Sequence, residues 1–374
     1  MKCIYLDNAS TTKPSTEAKN AAINAFDTDF GNPSSRHTLG FNAEKLVKNA
    51  RGIIAEKLSV SPSEITFTSC GSESNNMAIL GSLTMMRTKG RIITSKIEHK
   101  SVLNIFKQLE NEGYDVKYIG CDSKGIINMD ELSDSLNDNT LLVSIIHVNN
   151  EVGSIQPIND IYRIVKEKSK AIFHTDSVQG FCKIPDKFNA DLISVSAHKI
   201  GGLKGCGALY IKKGIRIKPF IIGGGQENDL RSGTENVPGI SAFGAAVDGY
   251  NSKERYNYVD KLNEEMRKIN VGEILSSDNC SPYILSIGFE GLKSEVLLNA
   301  LAMRGIYVSS GSACASNHPE LSHVLTAMAI RRNLIDSSIR ISFSHELTIE
   351  DIVEARTIIE EEATKLIKIM KVRR

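Results

Sequence analysis

The sequence lacks the features that would take it to a membrane or to nucleic acid. No apolar run approaches the ~18 residues of a membrane span. The first residues show no basic segment followed by an apolar core, so no membrane partner is expected and the cytoplasm is the expected location. An excess of one charge is missing too. Forty-five Lys and Arg stand against 44 Asp and Glu, a formal charge of +1, which gives no bulk field to draw nucleic acid in directly. Metal-type cysteine spacing is also absent. The seven cysteines, at positions 3, 70, 121, 182, 206, 280 and 314, contain no CxxC pair and no His/Cys cluster. That pattern excludes a zinc site, and the odd count argues against a disulfide framework. Cys3, Cys121, Cys182 and Cys280 read as small hydrophobes; Cys70 and Cys206 sit in Gly-containing turns. There are no internal repeats and no low-complexity tracts.

What is present suffices for two domains: 374 residues, 41% of them hydrophobic. Short apolar runs alternate with longer helical patterns through the first two thirds, as in a parallel sheet with crossover helices. The expected strands are Ile65–Thr68, Arg91–Thr94, Leu141–Val148, Ala171–His174 and Asp191–Ser196. Polar residues with chemical potential follow each run almost at once: Gly71 and Ser72, His99, Asn150, Asp176, then His198 and Lys199. Ligands of parallel α/β sheets bind outside the carboxyl ends of the strands, so five segments are expected to converge on one crevice. The charged stretch Asn251 to Glu265 reads as a helical connection into a smaller C-terminal α/β domain. That domain has strands near Ile284–Gly288 and Ile339–Phe343, and a final helix to Met370 opened by a Thr348/Asp351 capping box.

Lys199 ends an apolar run and is followed by Gly201, Gly202, Gly205 and Gly207, which let the backbone turn beside a bulky ligand. Asp176, Gln179 and Ser196-Ala197-His198-Lys199 come in that order. This order suits pyridoxal 5′-phosphate: a lysine for the aldehyde, a carboxylate for the ring nitrogen, small or hydroxylic residues for the phosphate. Gly71 and Ser72 open a helix expected to begin near Ser74, whose N-terminus favours an anion. Ser196 and His198 complete that cup, and Asn150 and Gln179 suit the phenolic oxygen of the ring. Arg340, in a β-like run, suits bidentate capture of a carboxylate. Cys314 lies in a Ser/Gly/Ala stretch, Ser309 to Ser316, suited to a thiol carrier. The turns Gly202-x-x-Gly205-x-Gly207 and Gly223-Gly224-Gly225 have neither the order nor the helix context of a nucleotide site, so NAD and ATP are rejected.

Together with Tyr5-Leu6-Asp7-Asn8-Ala9-Ser10-Thr11-Thr12, Gly31-Asn32-Pro33-Ser34-Ser35-Arg36-His37, His147 to Gly153 and Arg231 to Asn236, these motifs resemble the cysteine desulfurases of the class V aminotransferase group, in their SSGSAC-loop branch. The resemblance covers nearly the whole chain. It implies the type I pyridoxal phosphate fold, with a mostly parallel seven-stranded sheet in a large domain, 15–250, and a small domain of 1–14 and 251–374. It further implies His99 stacked on the cofactor ring and handling protons, Thr234 reaching across from a second subunit of a homodimer, and L-cysteine as substrate. Sulfur would pass as a Cys314 persulfide to an acceptor protein, an iron–sulfur scaffold or a tRNA-thiolation enzyme. Selenocysteine lyase, a plain class V aminotransferase and a non-catalytic sulfur-relay or regulatory protein are the neighbouring readings. Ser196-x-x-Lys199 with Ser277-Asp278-Asn279 also matches two of three serine β-lactamase motifs, but Lys-Thr-Gly is absent.

Overall fold

The computed structural model describes residues 2–310 and 321–372, with side chains through 370. Its largest sheet has seven strands, in the spatial order Ile65–Thr68, Gly207–Ile211, Leu192–Ser196, Ile172–Asp176, Thr140–Ser144, Arg91–Ser95 and Asp115–Ile119. Only Gly207–Ile211 runs antiparallel to its neighbours. Every residue of Ile172–Asp176 and Leu192–Ser196 is buried, as expected of strands covered by helices on both faces. The Lys100–Asn111 helix shows how one face is covered, burying Val102, Leu103, Ile105, Phe106 and Leu109 at helical spacing. The Gly71–Thr84 helix is buried along most of its length.

A second sheet, of four antiparallel strands, runs Ser309–Ser310, Ser338–Ser342, Ile284–Gly288 and Glu273–Ile274. Ile4–Tyr5 pairs in parallel with Ile306–Tyr307. Ile4, Leu6 and Ala9 pack into the buried cluster built from Val259 through Ala363. The final helix spans Ile349–Val372. It begins with a reciprocal cap: Thr348 N–H donates to Asp351 Oδ2 at 2.8 Å, and Asp351 N–H donates to Thr348 Oγ1 at 3.1 Å. No helix among the described residues is long and apolar enough to cross a membrane.

Several expected boundaries are corrected. The Leu141–Val148 run is strand only over Thr140–Ser144; beyond it Ile145 and His147 N–H still donate to the carbonyls of His174 and Asp176, while Ile146 N–H donates to the Glu98 carboxyl. Ala171–His174 becomes Ile172–Asp176, so Asp176 ends the strand. Ile339–Phe343 becomes Ser338–Ser342. The helix expected near Ser74 starts at Gly71. Asp115–Ile119 and Gly207–Ile211 were not expected; the second emerges directly from the Gly-rich turn.

Candidate active site

A cavity of about 660 Å³ opens where the carboxyl ends of the large sheet meet Arg340 of the second sheet. Its walls include Gly71, Ser72, His99, Asn150, Asp176, His198 and Lys199, so the five segments do converge. Gln179, Ser196 and Arg340 complete the expected set there. Thr234 is exposed and does not line the cavity of its own chain. Cys314 lies outside the described residues. Ser277-Asp278-Asn279 is likewise not part of the cavity, which removes the structural basis of the β-lactamase reading.

Asp176 is buried at the end of its strand, and both carboxylate oxygens are oriented. Oδ1 accepts Val178 N–H at 3.0 Å, and Oδ2 accepts Asn75 Nδ2 at 2.8 Å. Asn75 also donates to Ser101 Oγ at 2.9 Å, and Ser101 Oγ lies 2.8 Å from His99 Nδ1. Because Ser101 N–H also donates to His99 Nδ1, the ring proton is assigned to Nε2. Burial first, then the charges of Lys199 and Arg340, hold His99 below its usual range against the opposing pull of Asp176. Asn75 and Ser101 were not expected in the site. The one available signal for Asn75 was its position four residues after Gly71, on the same helical face.

Lys199 ends a 3₁₀ turn, Ala197–Lys199, directly after the Leu192–Ser196 strand. Its Nζ donates to the carbonyls of Ala9 and Ser10, both at 2.7 Å. Gln179 Nε2 donates to Ala9 O at 2.8 Å, and its Oε1 accepts from Lys183 at 3.0 Å. His198 Nδ1 sits 3.2 Å from Thr11 Oγ1, and burial lowers its pKa to about 4. Ser196 Oγ is buried without a hydrogen-bond partner among the described residues.

Arg340 is 4% exposed, which overturns the alternative of a surface arginine on an edge strand. Its guanidinium donates to Asp7 Oδ1 at 2.9 Å, Ser10 Oγ at 2.6 Å and Asn150 O at 2.9 Å, while Nε has no partner among the described residues. Two more carboxyls escaped the sequence reading. Burial raises Glu98 to about 8 and Glu151, whose carboxylate accepts from Ser322, to about 7.

The family model for class V aminotransferases matches residues 4–354. A cysteine desulfurase of Nostoc sp. is 41% identical over 372 residues, covering 95% of this chain and 92% of its own. The cysteine desulfurase IscS of Methanosarcina thermophila is 40% identical over 380 residues, covering 98% and 93%. Among solved structures, a NifS-like protein superposes with a TM-score of 0.91 at 38% identity, covering 97% of this chain and all of its own. SspA in complex with cysteine superposes with a TM-score of 0.83 at 36% identity, covering 91% and 98%. The chain therefore belongs to the class V aminotransferase family, on the branch of the cysteine desulfurases.

Proposed function

We propose that the protein is a cysteine desulfurase that uses pyridoxal 5′-phosphate, converting L-cysteine to L-alanine and leaving the sulfur as a persulfide on Cys314. One observation carries the reading: Lys199 and Asp176 follow neighbouring parallel strands into one cavity that also receives a helix N-terminus. The residues present fit the cofactor. A Cβ on Gly71 would stand 2.6 Å from Val178 Cγ2, so the wall is shaped for close backbone approach. The first N–H groups of the Gly71–Thr84 helix have no intrahelical acceptor and suit a phosphate, as does the unpartnered Ser196 Oγ. Asp176, held by two donors, suits a cationic ring nitrogen. On this reading Lys199 holds the aldehyde, and Asn150 and Gln179 hold the phenolic oxygen. The phosphate falls to Gly71, Ser72, Ser196, His198 and the partner subunit's Thr234.

When bound, the cofactor supplies an electron sink for the pair left at the substrate Cα. The chain supplies the rest. Lys199 removes the Cα proton as a neutral amine. Arg340, whose Nε points to no partner among the described residues, receives the substrate carboxylate. His99, neutral at pH 7 with its proton on Nε2, would help hold the cofactor ring and move protons at the substrate. The Cys314 thiolate attacks the substrate sulfur: an S–S bond forms as the Cβ–S bond breaks, and the electron pair stays with the carbon fragment, which takes up a proton and leaves as alanine. In support, described residues on both sides of the Cys314 segment border the cavity: Ser309 pairs with Arg340, and Leu321, Ser322 and His323 line the wall. The solved relative SspA is in complex with cysteine.

The persulfide passes to an iron–sulfur scaffold or a tRNA-thiolation enzyme in the cytoplasm. A homodimer is supported by the exposure of Phe26, Phe30, Phe41, Phe220 and Ile222. Residues 15–250 form the large domain, and 1–14 with 251–374 the small one, in keeping with the shared burial of Ile4, Leu6 and Ala9 with the C-terminal cluster. The test is release of alanine and sulfide from cysteine in the presence of a thiol reductant. Cys314→Ala should keep the cofactor absorbance and lose sulfide release, and Lys199→Ala should lose turnover. Undiminished sulfide release by Cys314→Ala refutes the carrier role, and a protein that takes up no cofactor refutes the reading as a whole.

A further inference from the structure

Gln179 has both ends of its amide committed, and the identity of its two partners fixes which end faces which. Ala9 O can only accept, so the atom 2.8 Å from it is Nε2, and the other end, Oε1, therefore faces Lys183 Nζ at 3.0 Å. The same Ala9 carbonyl accepts Lys199 Nζ at 2.7 Å. A continuous path therefore runs from Lys183 through Gln179 and Ala9 to the lysine that ends the Ala197–Lys199 turn. Lys183 is 4% exposed and lies 5.6 Å from the Tyr283 ring centroid, and Tyr283 hydroxyl meets the Tyr250 hydroxyl at 3.3 Å. Lys183 and Lys199 both border a second, small cavity behind the main one, so Lys199 sits between the two.

A lysine buried this deeply is costly to keep charged. Burial, then the like charges of Lys199 and Arg340, pull its pKa to about 7, and only Cys182 acts the other way. The other titratable or charged groups around this second cavity are Lys13, Arg255, His345, Glu346, Tyr250 and Tyr283. The activity proposed above assigns Lys183 no task.

We propose that Lys183 is a positioning residue: it locks the Gln179 amide with its N–H side toward Ala9 and Lys199, and its charge opposes protonation of the Lys199 nitrogen. This rests on the desulfurase reading and deepens it. The amine at Lys199 has to be neutral to bond an aldehyde or to accept the Cα proton, and a like charge nearby favours the neutral form. A lysine four residues after Gln179 does both jobs without entering the main cavity, of which it is not a wall.

The experiment is a pH titration of the visible absorbance of the holoenzyme, which reports the protonation of the nitrogen that Lys199 contributes. In Lys183→Met the midpoint should rise by about one pH unit, the usual size of a like-charge effect in a buried site, with kcat at neutral pH falling more than KM changes. A purely structural lysine would lower thermal stability and leave that midpoint in place. The midpoint, and not the melting temperature, decides, because Lys183→Met also leaves Gln179 Oε1 without its donor. Gln179→Glu is the second variant, because it sets a carboxylate against Lys183 without emptying the core, and it should move the midpoint in the same direction. Wild-type midpoints in both variants, with cofactor bound and cysteine turned over, overturn this inference alone. Wild-type protein that takes up no cofactor overturns the desulfurase reading and this inference with it.

Discussion

Glu98 should make the protein lose stability as pH rises, and Glu98→Gln should abolish that loss. The side chain is fully buried; Oε1 accepts Ser95 Oγ at 2.6 Å and Ile146 N–H at 2.8 Å, and Oε2 has no partner among the described residues. Burial dominates and raises the pKa from 4.5 to about 8, the two hydrogen bonds pull the other way, and the charge of Asp176 adds to the rise. The folded state thus holds its proton more tightly than the unfolded chain. Below pH 4.5 both states are protonated and the group makes no difference. Between 4.5 and about 8 only the unfolded chain has released the proton, so stability falls with pH, and above about 8 the fall stops. At roughly 1.36 kcal/mol per pH unit the full span is about 4–5 kcal/mol. Glutamine has the shape of the neutral acid and keeps the acceptor for Ile146 N–H. Wild type and Glu98→Gln should therefore match near pH 4.5, and the variant should be more stable by about 4 kcal/mol at pH 9. Urea unfolding of the cofactor-free protein at one concentration, at pH 5, 7 and 9, measures the difference, and other titrating groups cancel between the two proteins. Curves that run parallel across that range would refute the assignment of a buried neutral carboxyl.

Three further outcomes follow from the geometry. Gly71→Ala places a methyl 2.6 Å from Val178 Cγ2, so thermal unfolding should show a loss of about 1–3 kcal/mol from overpacking, and cofactor titration should show weaker binding. Asn75→Ala removes the donor to Asp176 Oδ2. The loss of a hydrogen bond to a charged group is worth about 1.5–3 kcal/mol, so cofactor affinity should drop about 10–100-fold while the fold, followed by circular dichroism, persists. Arg340→Lys loses the planar fork that joins Asp7, Ser10 and Asn150; KM for cysteine should rise about 10–100-fold, more than kcat falls.

The large sheet was legible because its buried strands are short apolar runs that stop abruptly at polar residues, as at Thr68, Ser95 and Ser196. Where a strand is not fully buried, that signal fails. Asp115–Ile119 lies at the sheet edge with only Ile119 buried, and its Asp-Val-Lys-Tyr-Ile alternation is too short to stand out. Gly207–Ile211 was hidden because its first residue belongs equally to the glycine-rich turn. A Cβ at Gly207 would come within 2.8 Å of the Cys70 backbone, so glycine there serves the close approach of the antiparallel neighbour. The Leu141–Val148 run was read too long because apolar character continues past Ser144, and sequence cannot show that a carboxyl 48 residues away takes the Ile146 N–H.

Within the site, the residues that follow the strand ends were legible and the residues that aim them were not. Lys199, Asp176 and His99 are marked by where they sit on the chain. Asn75, Ser101, Lys183 and Glu98 act through partners such as Asp176, 101 residues from Asn75, or through a neighbour four positions away. Their side-chain types are ordinary for a buried helix or strand end, and only the packing of distant segments gives them direction. Burial then sets their chemistry. The same enclosure that lowers His99 raises Glu98 and Glu151, so in each case the neutral form is favoured. Asp176 between Asn75 and Val178 and Arg340 beside Asp7 are instead held by explicit partners, and they share the cavity with Lys100, Lys107 and Lys199. On the proposed function, these two would meet a ring nitrogen and a substrate carboxylate.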